Sequence, residues 1–136
     1  MGKALGIDYG TKRTGIAITD AMQIIASGLT TVSTNTLDAF IANIVLKENI
    51  ECFVVGDPKN MDGKNTDSTG HVNSFVKRLQ KLYPKTLVYQ IDERFTTKIA
   101  KQSILASGIK KKGRRNKALV DEVSATIILQ SYLHYR

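Results

Sequence analysis

The chain predicts an α/β fold, a five-stranded mixed sheet with helices on both faces. Three observations carry that expectation. The first third is a series of short β-branched runs joined by very short links, which suits an antiparallel meander. At Thr36 the apolar period changes from strand-like to helical. Beyond it, apolar strand-like runs alternate with amphipathic stretches, the pattern of parallel strands joined by crossover helices.

The elements follow in order. Lys3–Tyr9 and Thr14–Thr19 read as strands on either side of the turn Gly10-Thr11-Lys12-Arg13. Asp20-Ala21-Met22-Gln23 connects the second to a third, Ile24–Thr34, rich in Ile, Thr and Val. Thr36 is placed to cap a helix whose residues Leu37, Phe40, Ile41, Ile44 and Val45 share one face, and Asn49 to end it. Glu51–Gly56 contains Cys52-Phe53-Val54-Val55, apolar on both sides as in a buried parallel strand. A Gly/Pro/Asn-rich loop follows over Gly56–Gly63. Val72, Phe75, Val76, Leu79, Leu82 and Tyr83 then form one helical stripe. Thr86–Ile91 is the fifth strand, and Ile99–Ser107 and Ala118–His134 read as two last helices. The order β-β-β-α-β-α-β-α-α places strands one, four and five parallel, with strands two and three at one edge.

Length and charge bound the function. The 136 residues suit one domain over 1–136, without repeat, low-complexity tract or proline-rich linker. Lys and Arg number 20 against 12 acids, a net charge of +8 that favours polyanions, nucleic acid before acidic lipid. No run approaches the roughly 20 apolar residues of a membrane span, and the N-terminus lacks a signal-peptide layout. One cysteine, Cys52, excludes an internal disulfide and fits a reducing, cytoplasmic setting, where it packs as a small hydrophobe.

Against that basic background, three acidic positions interrupt apolar contexts. Asp8 ends the first strand, Asp92-Glu93 ends the fifth, and Asp121 opens the last helix. Parallel strands gather ligands at their carboxyl ends, so Asp8 and the Asp92-Glu93 pair share one rim. Asp121 shares a helix face with Ser124, Ala125 and Ile128, and the small residues let that face approach the sheet closely. Three converging carboxylates suit Mg²⁺ or Mn²⁺, hard cations that take oxygen ligands. Two such ions about 4 Å apart assist both attack and departure in phosphodiester cleavage. Each acid also has a structural reading: Asp8 as a turn former, Asp92-Glu93 as first-turn helix acids, Asp121 as a cap.

Several segments resemble the RuvX (YqgF) family. Gly6-Ile7-Asp8-Tyr9-Gly10-Thr11-Lys12-Arg13-Thr14-Gly15 looks like its first-strand motif, and Val55-Gly56-Asp57-Pro58 with Met61-Asp62-Gly63 like its central loop. Asp92-Glu93-Arg94-Phe95-Thr96-Thr97 and Val120-Asp121-Glu122-Val123-Ser124-Ala125 resemble its third and fourth motifs, all in the family's order. The resemblance implies a ribonuclease H-like fold and a nuclease acting on the 5′ end of pre-16S ribosomal RNA, with a carboxylate layout similar to Holliday junction resolvases. Carried over by position, it implies Asp8, Glu93 and Asp121 as metal-binding, catalytic acids. Only one of Asp92 and Glu93 can enter a site from an extended strand end. Glu122 departs from the small residue common after the helix aspartate.

The cations complete the expectation. Lys110, Lys111, Lys112, Arg114, Arg115 and Lys117 fall within eight residues just before the last helix, as a solvated loop or a clamp on substrate phosphates. Lys12 and Arg13 can meet phosphate at the first turn, and Arg94 can hold the scissile phosphate or pair with an acid. His71 and His134 read as surface or helix residues. The leading reading is an Mg²⁺- or Mn²⁺-dependent endonuclease of structured RNA, with branched DNA as a further substrate and monomer or homodimer left open. The alternative is a non-catalytic nucleic-acid-binding module of the same fold in ribosome biogenesis or transcription. Asp8-Tyr9-Gly10-Thr11 also resembles the first phosphate loop of actin/Hsp70-type ATPases, which close two such domains around the nucleotide.

Overall fold

A computed structural model describes residues 2–57, 69–92 and 117–135; the side chains of residues 69 and 117–121 lie outside the description. The strands are β1 (Lys3–Asp8), β2 (Arg13–Thr19), β3 (Ala26–Ser33), β4 (Ile50–Asp57) and β5 (Leu87–Asp92). A 3₁₀ turn (Thr34–Thr36) leads into α1 (Leu37–Lys47); α2 spans Thr69–Leu82 and α3 spans Lys117–Tyr135. The expected helix at Ile99–Ser107 and the loop beyond Asp57 lie outside the described residues.

The sheet order is β3-β2-β1-β4-β5. β1 pairs antiparallel with β2, and β2 with β3, while β1–β4 and β4–β5 are parallel. This is the expected meander with its two added parallel strands. Short links force the antiparallel pairs, whereas the helical crossovers α1 and α2 return the chain to start each parallel strand from the same end.

Side-chain alternation along the strands separates two cores. On one face Leu5, Ile7, Ile16, Phe53 and Val55 pack with Leu37 and Ile41 of α1 and with Val72, Phe75 and Leu79 of α2. On the other, Ala4, Ala17, Cys52 and Val54 pack against Ala125, Ile128 and Leu129 of α3. Helices therefore cover both faces, and Cys52 is buried as expected, its Sγ 3.6 Å from the Tyr132 hydroxyl.

One local expectation is corrected. Thr36 precedes α1 but makes no side-chain cap bond; its hydroxyl donates instead to the Ser33 carbonyl at 2.8 Å. A threonine hydroxyl can bond to nearby backbone in either direction, and here the 3₁₀ turn supplies the nearer acceptor. The link after β2 is tightly organised. The Asp20 carboxylate accepts from the backbone N–H groups of Met22, Ile24 and Ile25 at 2.8–3.1 Å. Those bonds, Ile25 first, hold its pKa below the ordinary value.

Candidate nuclease site at the carboxyl rim of the sheet

β1, β4 and β5 run parallel, so their last residues, Asp8, Asp57 and Asp92, share one rim. Asp57 and Asp92 are partners in the β4–β5 register. Pleating divides the three acids between the faces. Asp8 follows Ala4 and Gly6 on the α3 side. Asp57 follows Phe53 and Val55, and Asp92 follows Val88, on the α2 side. That division accounts for the absence, among the described residues, of any cluster of three His, Cys, Asp or Glu side chains able to hold a metal. Asp57 was missed in the sequence, although it too ends an apolar run.

The α3 face is shaped for close approach. A Cβ placed on Gly6 would stand 2.5 Å from Leu129 Cγ and 3.0 Å from the Ala125 carbonyl oxygen. Only glycine leaves room for the helix there. Lower on the sheet Tyr132 meets Cys52, which is in register with Ala4. Helix α3 therefore starts at the rim and descends antiparallel to β1. Asp121 lies one helical turn before Ala125, with its side chain outside the described residues. Glu93 and Arg94 also lie outside them, as do Lys110, Lys111, Lys112, Arg114 and Arg115.

Glu122 is accounted for. Its carboxylate lies over β3, where a Cβ on Gly28 would be 2.7 Å from Oε1. Strand β2 separates it from Asp8, so the extra acid in the helix motif does not compete for the β1 end.

The β1–β2 turn is fixed from the β3 side. Thr34 donates through its hydroxyl to the Gly10 carbonyl at 2.6 Å and through its N–H to the Lys12 carbonyl at 3.0 Å. A Cβ on Gly10 would collide with the Arg13 carbonyl, which makes glycine obligatory at this tight bend. Lys12 is exposed and Arg13 half-buried beside the rim. His71, read from the sequence as a surface residue, is exposed on the first turn of α2 and faces a cavity shared with Lys12 and Arg13. Nothing in its sequence context signals that meeting, which depends on where α2 docks.

For a divalent cation, the described part of the rim supplies a hard oxygen donor, Asp8, beside a helix brought close by Gly6 and Ala125. A carboxylate is the donor type that hard divalent cations take. No helix among the described residues is long and apolar enough to cross a membrane.

Solved structures fix the fold class. The RuvC of T. thermophilus, in complex with a Holliday junction substrate, superposes with a TM-score of 0.61 at 15% identity, covering 99% of this chain and 98% of that one. The fowlpox virus Holliday junction resolvase does so at 0.58 and 12% identity, covering 97% of each. The fold is thus ribonuclease H-like, with the strand order and directions of the RuvC sheet.

Sequence comparison carries the assignment from fold to family. The RuvX profile, described as Holliday junction resolvase, matches residues 2–135, and the chain belongs to that nuclease family. Relatives in Flavobacterium johnsoniae and Bacteroides fragilis are each 52% identical over 133 residues, covering 98% of this chain and 96% of theirs. A third, in Flavobacterium psychrophilum, is 53% identical, covering 98% of this chain and 97% of its own. All three carry the name "Putative pre-16S rRNA nuclease".

Proposed function

We propose that the protein is a divalent-metal-dependent endonuclease that trims the 5′ end of pre-16S ribosomal RNA in the cytoplasm, with branched DNA as a second substrate class. The substrate reading rests on the names of relatives about half identical over nearly the whole chain. Asp8, Glu93 and Asp121 are the proposed metal-binding, catalytic acids.

One observation carries the site: the opposed run of β1 and α3 about Gly6 and Ala125. From Gly6 to Asp8 the strand rises about 6.6 Å, and from Ala125 back to Asp121 the helix rises about 6 Å. The two acids are therefore level on the backbone. Asp92 belongs to the opposite face with Val88, which supports Glu93 over Asp92 as the third acid.

In the reaction Asp8, Glu93 and Asp121 would hold the ion or ion pair. Lys12 and Arg13, held on their rigid turn, bind the substrate backbone, as do Arg94, Lys110, Lys111, Lys112, Arg114 and Arg115. When bound, the metal lowers the pKa of the attacking water and neutralises the departing 3′-oxygen.

The test is a cleavage assay on ribosomal precursor and four-way junction side by side, with and without Mn²⁺. Wild type cuts the precursor only with metal, and Asp8→Asn binds it without cutting. Binding of the precursor with a steep salt dependence but no cleavage under any metal would replace the nuclease reading with the non-catalytic binding module.

A further inference from the structure

A cavity of about 290 Å³ lies on the α2 side of the β1 end, away from the face that carries Asp8. Tyr9, Lys12 and Arg13 line it from the end of β1 and its turn, and His71 and Val72 from α2. The Tyr9 ring stacks on Phe75 at 4.6 Å and 19°, which fixes that surface to the core. The Gly10 and Lys12 carbonyls are engaged by Thr34, so the turn's orientation is set independently of any ligand. Among the described residues, no Asp or Glu lines the cavity. A rigid recess lined by two cations and an imidazole has the chemistry of a phosphate site. It has room for a phosphodiester group and several waters, each about 30 Å³.

We propose that this cavity binds a backbone phosphate next to the scissile one, with Lys12, Arg13 and His71 as its donors, and so sets which bond is cut. The proposal rests on the reading that this rim engages a nucleic-acid strand. Asp8 and Tyr9 are consecutive and point to opposite faces, so a strand crossing the rim at β1 passes both the acid and the cavity. His71 then acts as a positioning residue.

The test is a binding scan in EDTA, which requires no cleavage. A precursor hairpin RNA carries a single uncharged methylphosphonate at successive positions near the cut, and its affinity is measured for wild type, Lys12→Ala and His71→Ala. In wild type one position weakens binding about 5- to 10-fold, roughly 1–1.4 kcal/mol. In either variant that same substitution costs no more than its neighbours. Lys12→Ala also lowers the salt slope by about 0.7–0.9. In a separate assay with Mn²⁺, His71→Ala spreads the cut over adjacent bonds. Because Asp8→Asn keeps the wild-type scan, failure of the metal site and failure of this subsite are told apart. A flat wild-type profile, no binding, or the same peak in all three proteins overturns the proposal. His71 is exposed, and unchanged circular dichroism of His71→Ala confirms that the comparison is between folded proteins.

Discussion

The two faces of the sheet are made of differently sized residues, and the difference separates stability from chemistry. Under α1 and α2 the contacts are large: Phe53, Phe75, Leu5, Ile7, Ile16 and Leu79 are almost fully buried. Under α3 the sheet offers Ala4, Gly6, Ala17 and Cys52 to Ala125, Ile128 and Leu129. Large interlocking side chains bury more apolar area, each worth about 1.5–3 kcal/mol. Small ones contribute less but let a helix backbone come close to a strand. The first face holds the fold together; the second sets the height of α3 against β1.

That contrast breaks if activity and stability respond alike to changes on both faces. The largest expected effect is on the chemical side. Asp8→Asn should lower cleavage by at least about 10³-fold, the scale of losing transition-state charge stabilisation, while leaving thermal unfolding nearly unchanged. Phe75→Ala should do the reverse: denaturant titration should show a loss of about 3–5 kcal/mol, with the folded fraction still cutting in Mn²⁺. Gly6→Ala lies between. The added methyl forces α3 away from β1, at about 1–3 kcal/mol in denaturant titration, and should lower cleavage further than stability alone explains, because it shifts Asp121 relative to Asp8.

The smallest effect tests a region outside both cores. Three N–H bonds lower the Asp20 pKa in the folded state, so their stabilisation is complete above the ordinary carboxylate value of 3.8 and fades as pH falls through the lower folded value. Asp20→Ala should therefore unfold at a lower temperature than wild type at pH 7. The gap should narrow in acid, as followed by circular dichroism melts from pH 7 to pH 2.

Much of this was legible in the sequence, and the exceptions share a cause. Strand order and direction follow from link lengths and the change of period at Thr36, both local properties. The close approach of the last helix was readable from Ser124 and Ala125, although its strand partner, Gly6, was visible only once β1 and α3 were packed. That Asp92 shares a face with Val88, away from Asp8, needed the observed pleat, since sequence gives alternation but not which face is which. Asp57 ends its strand as Asp8 does, but its parity puts it with Phe53 and Val55. Glu122 could be separated from the rim acids only by finding it above Gly28. His71 meets Lys12 and Arg13 only because α2 docks beside the first turn, a contact between residues far apart in sequence. The Thr36 cap failed locally because Ser33 offered its hydroxyl an acceptor.

The most direct measurement of the central claim is Mn²⁺ binding by titration calorimetry on wild type, Asp8→Asn and Asp57→Asn. Wild type and Asp57→Asn should bind Mn²⁺ with the same affinity, and Asp8→Asn at least about tenfold more weakly, a difference of about 1.4 kcal/mol. Equal affinity in wild type and Asp8→Asn, or a loss confined to Asp57→Asn, would contradict a metal site on the α3 face.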